Sequence, residues 1–305
     1  MPFKTAKLIA TEFIVNSSSD FYNLARFLYC LIDKTLINIS SKKGKPFVLI
    51  YQQGRVASTS VYESIKSLNL SYPIYHVHTI SYKHAQQKID QLKKKGGKVY
   101  RHFFVGQYLY KALNRHNSRN NPLPWKIICI FRDPIEIMIS LHFLNLENSP
   151  NNKFSVNGVL DKKKALAFFE NLFENNEPSN WAICNWFDDV FFKELGIDVF
   201  STPFDKIEGY TIISSKKLDV LLLRFEDLEH AYKYGTAKLL GLNANNVNLQ
   251  HENLHVNKSA NDLHKYIKQN LKLSKNACEK VYSTKLMQHF YSPELIEILS
   301  SKWTR

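Results

Sequence analysis

The chain has 305 residues, 44% hydrophobic and 13% aromatic, enough for one large α/β core. Its 41 Lys and Arg against 27 Asp and Glu leave a net charge of +14, which predicts an anionic partner such as a nucleotide, a polyanionic glycan, nucleic acid or an acidic membrane surface. Cys30, Cys129, Cys184 and Cys278 lie far apart with no Cys-x-x-Cys, which argues against a metal cluster and suits a reducing compartment, and no run reaches the ~18 apolar residues of a membrane span.

Residues 1–45 read as a helical N-terminal extension, and residues 46–305 as an α/β domain. Met1 to Thr11 lacks the apolar centre and small-residue cleavage site of a signal peptide, so a cytoplasmic location is expected, with the inner membrane face as the alternative. Phe21, Leu24, Leu28, Leu31 and Ile32 recur at helical spacing. That pattern serves a helix packed on a domain or one lying on a membrane; packing on the domain is the reading adopted.

Phe47 to Ile50 is an apolar run that predicts a buried strand. It breaks at Gly54, where the chain needs room to turn, and continues as Arg55-Val56-Ala57-Ser58-Thr59-Ser60. Val61, Ile65 and Leu68 then follow at helical spacing. A strand, a polar turn and a helix make an anion site, because the first helical amides lack partners and the helix dipole favours negative charge there. Arg55 adds charge, and Ser58, Thr59 and Ser60 add hydroxyls. An ordinary joint with a Ser/Thr cap is the plainer alternative. A Walker A loop is absent.

A second strand is expected over residues 72–78, a basic helix over 81–95, a third strand over 98–104 and a helix over 106–114. Trp125 to Phe131 reads as a fourth strand, buried on both faces. The segment after it, Arg132-Asp133-Pro134-Ile135-Glu136, opens a helix, with Asp133 as N-cap, Pro134 in the first turn and Glu136 as the reciprocal cap. Arg132 then sits at the carboxyl edge of the sheet, where open parallel sheets bind ligands. With Ser140 it makes a candidate second phosphate site. The alternative is that Arg132 pairs with Asp133 or Glu136 and only stabilises the helix start.

Residues 148–209 read as mostly helical, with Trp186, Phe187, Phe191 and Phe192 in the core. Leu218 to Arg224 is a fifth strand, and a helix runs from Glu226 to Leu240. The tail holds two or three helices, the last opened by Ser292-Pro293. The overall expectation is a P-loop-like three-layer α/β sandwich around a parallel sheet of about five strands.

The Arg55 to Ser60 turn resembles the 5′-phosphosulfate loop of sulfotransferases that use 3′-phosphoadenosine 5′-phosphosulfate (PAPS), some of which carry Pro-Lys-x-Ala-x-Thr-Ser there. Arg55 stands where they have Lys. Arg-Asp-Pro with Ser140 is similar to their 3′-phosphate site, and Leu223-Arg224-Phe225-Glu226-Asp227-Leu228 resembles a later strand end, read as structural. From residue 45 onward the chain most resembles a bacterial family labelled as capsular polysaccharide synthesis proteins. The resemblance implies PAPS as donor, no required metal, and a carbohydrate acceptor; nucleic acid is not expected. It implies donor contacts from Gly54, Arg55, Ala57, Ser58, Thr59, Ser60, Arg132 and Ser140, and by a looser match from Lys258.

Sulfuryl transfer needs charge stabilisation, assigned to Arg55, and a base for the acceptor hydroxyl. His102, placed where related enzymes have Lys-x-His, and His78 near the end of the second strand are the candidates. His76 shares a face with His78. A nucleotide-dependent kinase and a non-catalytic polyanion-binding module are the competing classes. The first lacks Walker A, and the second leaves the two strand-end motifs unexplained.

Overall fold

The structure is a computed structural model. It describes residues 19–94, 99–143, 154–156, 159–251 and 258–305, with side chains from 28 onward in the first helix and from 260 onward in the helix that starts at Lys258. Five strands form one mixed, mostly parallel sheet: β1 (Val48–Tyr51), β2 (Ile74–Val77), β3 (Trp125–Phe131), β6 (Tyr210–Ser214) and β7 (Leu218–Arg224), in the order β2-β1-β3-β7-β6. The short pair β4 (Ser155–Val156) and β5 (Val159–Leu160) stands apart. Within the five-stranded sheet, β6 among the described strands is the antiparallel one, on β7, and β4 and β5 pair antiparallel with each other.

The interior strands are those whose sequences are unbroken apolar runs. Every residue of β1 is buried, as are Ile127 to Phe131 of β3 and Val220 to Arg224 of β7. Residues covered on both faces need no polar alternation. Both runs expected to be interior are interior.

The sheet carries α2 (Ser58–Ser67) after β1, α3 (Tyr82–Lys94) and α4 (Arg101–Asn117) after β2, and α5 (Pro134–His142) after β3. The chain moves from β1 outward to β2 and then from β3 the other way to β7. Right-handed crossovers therefore put α2 on one face and α3 to α5 on the other. Later come α6 (Lys162–Asn175), a π-helical turn Phe187–Phe192 running into α7 (Lys193–Leu195), α8 (Leu228–Leu240), α9 (Lys258–Asn270), α10 (Lys275–Tyr282), α11 (Lys285–Phe290) and α12 (Pro293–Trp303).

Two expectations fail here. The third strand over 98–104 is not a strand: Arg101 to Phe104 form the first turn of α4, and residues 95–98 lie outside the described residues. No strand therefore intervenes between β2 and β1, which pair directly. Gly106 misleads because it looks like a breaker. It sits inside α4 because a Cβ there would lie 2.3 Å from the Thr79 carbonyl oxygen. The glycine serves a close approach of helix to chain.

The second failure concerns the first helix, α1 (Ser19–Lys42). It packs against α4, but through Cys30, Asp33, Ile37 and Ser41. Arg101 donates to both Asp33 oxygens at 2.5 and 2.6 Å, and Arg115 to Ser41 Oγ at 2.9 Å. Leu28, Leu31 and Ile32, expected to pack, are exposed instead. The side chains of Phe21 and Leu24 lie outside the described residues.

Ala favours helix over Gly by about 1 kcal/mol, so helix propensity alone predicts that Gly106→Ala stabilises α4. The Thr79 contact reverses that sign. We expect a loss of about 1–3 kcal/mol, the usual cost of overpacking, read from the urea midpoint; an unchanged or raised midpoint would show that α4 shifts away freely.

Candidate functional site

The chain leaves β1 toward β2 on one side, and leaves β3 toward β7 on the other. Neighbouring strands whose connections diverge open a crevice at their carboxyl ends. The two sequence-predicted anchors flank it: the turn 52–57 after β1, and Arg132 after β3.

The turn is built differently from expectation. Gly54 has no atom within 4 Å of where a Cβ would stand, so neither space nor a left-handed backbone requires glycine there. The left-handed positions fall on Arg55 (φ 70) and Ala57 (φ 58), which non-glycine residues adopt at a cost of about 1–3 kcal/mol. Ala57 is also the N-cap of α2 and provides no side-chain cap. The alternative of a Ser/Thr-capped joint is therefore set aside. Ser58 and Ser60 are buried in the first turn, with Thr59 half-buried between them.

Arg55 and Arg132 converge. Arg132 Nη1 lies 3.5 Å from the Arg55 carbonyl oxygen, and burial and then the positive charge of Arg132 lower the Arg55 guanidinium below its usual range. No carboxylate pairs with Arg55 among the described residues. Arg55, which no carboxylate pairs, and Arg132 beside its backbone thus flank a helix start without a side-chain cap, the elements that an anion site would use.

Arg132 itself is held firmly. It donates to Glu136 Oε2 at 2.8 Å, stacks 4.0 Å over the Phe225 ring, and keeps Nε buried without a hydrogen-bond partner. The pairing with Glu136 weighed from the sequence is thus real, and Glu136 does not act as a reciprocal cap. Lys268 of α9 reaches the same carboxylate at 2.8 Å, and Lys302 of α12 also bonds it. Burial would raise the Glu136 carboxyl, but these three cations hold it below the ordinary range. One carboxylate is thus shared among three cations. Lys268 and Lys302 come from distant helices, and no local pattern marked them.

Ser140 is buried on α5 but lies six residues past Pro134, ~9 Å along the helix axis. The Lys258 side chain lies outside the described residues. Arg224 is buried and structural, bonding Asp227 and the carbonyls of Phe290 (3.0 Å) and Lys206 (2.8 Å). The N-cap of α8, Asp227, makes no side-chain cap bond. A cavity of about 370 Å³ opens beside the turn, with Ala57, Ser60, Phe225 and His251 in its lining together with three acids, Glu226, Asp227 and Glu229. Its size is within the range of small-ligand pockets.

The histidines gather on the other flank of the turn. His78 Nδ1 donates to the Gln52 carbonyl at 2.9 Å, which leaves Nε2 as the lone-pair nitrogen of the neutral ring. His76 Nε2 accepts from the Gln52 side-chain amide at 2.9 Å. His102 meets His78 edge-on at 5.0 Å and stacks on Tyr100 at 5.6 Å. It stands in the first turn of α4 and not at a strand end. Burial pushes His76 down to about 3 and His102 to about 4, with His78 also lowered by burial. All three rings are neutral near pH 7. Gln52 Oε1 and Gln53 Oε1 are buried acceptors without a hydrogen bond.

The sequence pointed nowhere near Glu194. From α7 it accepts hydrogen bonds from Tyr51 Oη (2.6 Å), Thr79 Oγ1 (2.7 Å) and the Ile80 amide (2.5 Å), tying the ends of β1 and β2 together.

Residues 158–292 match the family model described as Putative capsular polysaccharide synthesis protein. The matched stretch is less than half of the chain. It contains Glu194, Arg224, Glu226 and Lys268 but neither the Arg55 turn nor Arg132. No curated protein and no solved structure matches the chain.

Unfolding returns the histidines to their ordinary value near 6.5. Between about pH 4 and 6.5 the unfolded chain binds protons that the folded chain refuses. The histidine contribution to stability is therefore complete above about pH 6.5 and is lost as pH falls. Burial raises the Asp133 and Glu226 carboxyls, which acts in the opposite direction, since the folded chain gains their protons first. Urea midpoints from pH 7.5 to 5 should fall, and more steeply in Glu226→Gln. Titration of the His102 ring protons by NMR near 6.5 would refute the burial on which this rests.

Proposed function

We propose that the protein is a sulfotransferase that moves a sulfuryl group from PAPS to a carbohydrate hydroxyl, in the synthesis of a surface polysaccharide before export from the cytoplasm. The observation that carries the reading is that Arg132 reaches the Arg55 backbone in the crevice between β1 and β3, where no carboxylate among the described residues pairs with Arg55 itself. The polysaccharide part rests on the family similarity over residues 158–292 and on the net charge of +14, which suits an anionic donor and glycan.

In this reading the amides and hydroxyls of Ser58, Thr59 and Ser60, with Arg55, take the 5′-phosphosulfate at the start of α2. Arg132, with Lys268 and Lys302 beside it, takes the 3′-phosphate. An acceptor oxygen forms a bond to sulfur as the sulfur–oxygen bond to the 5′-phosphate breaks. Arg55 balances the charge that grows on the departing phosphate. The acceptor proton passes to a neutral imidazole. His78 is favoured over His102 because its Nδ1 is committed to Gln52, which leaves Nε2 free to accept.

Charge-assisted hydrogen bonds contribute about 1.5–3 kcal/mol each, and 1.4 kcal/mol is a factor of ten in affinity. Calorimetry without Mg²⁺ should show 3′-phosphoadenosine 5′-phosphate binding at least ~10-fold tighter than ADP. Arg132→Ala should remove the preference, and Arg55→Ala should weaken both nucleotides. His78→Ala should slow sulfate transfer to glycan by ~10²-fold with binding retained. Equal wild-type affinity for the two nucleotides would end the proposal.

A further inference from the structure

The first helix carries its apolar residues on the wrong side for a helix that only packs. Leu28, Ile32, Leu36 and Ile39 recur at i, i+4, i+8 and i+11, one stripe of an α-helix. They are 51%, 48%, 52% and 46% exposed, and neighbouring Leu31 is 39% exposed. The opposite face, Cys30, Asp33, Ile37 and Ser41, is the one buried against α4. Exposed apolar side chains occur singly on most surfaces, but a contiguous helical stripe marks an interaction site.

The charges around the stripe choose its occupant. Lys34, Lys42, Lys43 and Lys45 are exposed along and beyond the helix. The one acid between residues 28 and 45 is Asp33, buried and bonded to Arg101. Over residues 28–45 the exposed surface is therefore leucine and isoleucine bordered by lysine, with no exposed acid to repel an anion. The C-terminal carbonyls of the helix are occupied as well, since Arg119 Nη2 donates to Ser41 O at 3.0 Å and Lys42 O at 2.8 Å. No helix among the described residues is long and apolar enough to cross a membrane. We infer that α1 lies flat on an anionic lipid surface, with its Leu/Ile stripe in the acyl boundary and its lysines at the headgroups. This surface is formed by other residues than the crevice, and the inference stands independently of the transferase reading.

The test is co-sedimentation of the full chain with vesicles of phosphatidylcholine alone or mixed with phosphatidylglycerol. Binding is expected to the mixed vesicles only. Ile32→Ser with Leu36→Ser leaves the net charge unchanged and should weaken that binding by about a hundredfold, given the transfer energy of two aliphatic side chains. Both positions are exposed, so the thermal midpoint should not move. Lys42→Glu with Lys43→Glu should weaken it separately and make the remainder insensitive to salt. Three results would overturn the inference: no partitioning to anionic vesicles at low salt, equal partitioning of the serine variant, which leaves only bulk charge as the cause, or a wild-type dimer that the serine pair makes monomeric, which makes a second copy of the chain the occupant.

Discussion

The geometry of the crevice depends on a pair of carboxylates, buried Asp133 and half-buried Glu226, at the adjoining ends of β3 and β7. The Asp133 amide donates to Glu226 Oε1 at 2.9 Å, so the two strand ends are joined by one hydrogen bond beyond their ladder. Asp133 Oδ1 caps α5 through the Ile135 amide, while Oδ2 accepts from Tyr282 at 3.2 Å and Trp303 at 3.3 Å. Tyr291 donates to Glu226 Oε2 at 2.9 Å. Buried carboxylates without such donors would be costly. Here the donors come from α10, from α12 and from the residue after α11, so the C-terminal helices are locked onto the strand ends. Arg132, one residue before Asp133, inherits its position from that lock.

Charge is distributed unevenly over the sheet edge. Over β1 and β3 lie two guanidiniums, with Glu136 shared among Arg132, Lys268 and Lys302. Over β2 lie three imidazoles that burial keeps neutral. A positively charged half thus lies next to a half of neutral imidazoles, two opposite electrostatic environments on one sheet edge. The turn 52–57 joins the halves, since Gln52 bonds His76 and His78 while Arg55, three residues on, faces Arg132.

The stretch that matches a known family also reaches this edge. Glu194, inside that stretch, holds the ends of β1 and β2 by three hydrogen bonds, and His84 stands 3.8 Å from the same carboxylate. Tyr51 also packs on Trp186 and Phe191, with ring centroids 5.2 and 5.7 Å away. The helical middle of the chain is therefore a support for the turn that bears Arg55.

What the sequence by itself determined are the local features. Buried strands β1, β3 and β7 were legible as continuous apolar runs, and the starts of α5 and α12 as Asp133-Pro134 and Ser292-Pro293, because burial on two faces and helix capping each leave a mark within a few residues. The strand–turn–helix joint after β1 was legible for the same reason, although its left-handed positions are Arg55 and Ala57 and not Gly54. Tertiary structure alone decided which strands are neighbours, which removed the expected strand at 98–104 and moved His102 to a helix start. It alone brought Glu194, Lys268 and Lys302 to the site, since contacts across a hundred residues leave no local spacing. It also decided which face of α1 is covered. Periodicity shows that a helix has an apolar side, but only packing against the rest of the chain determines whether that side meets the core or the solvent.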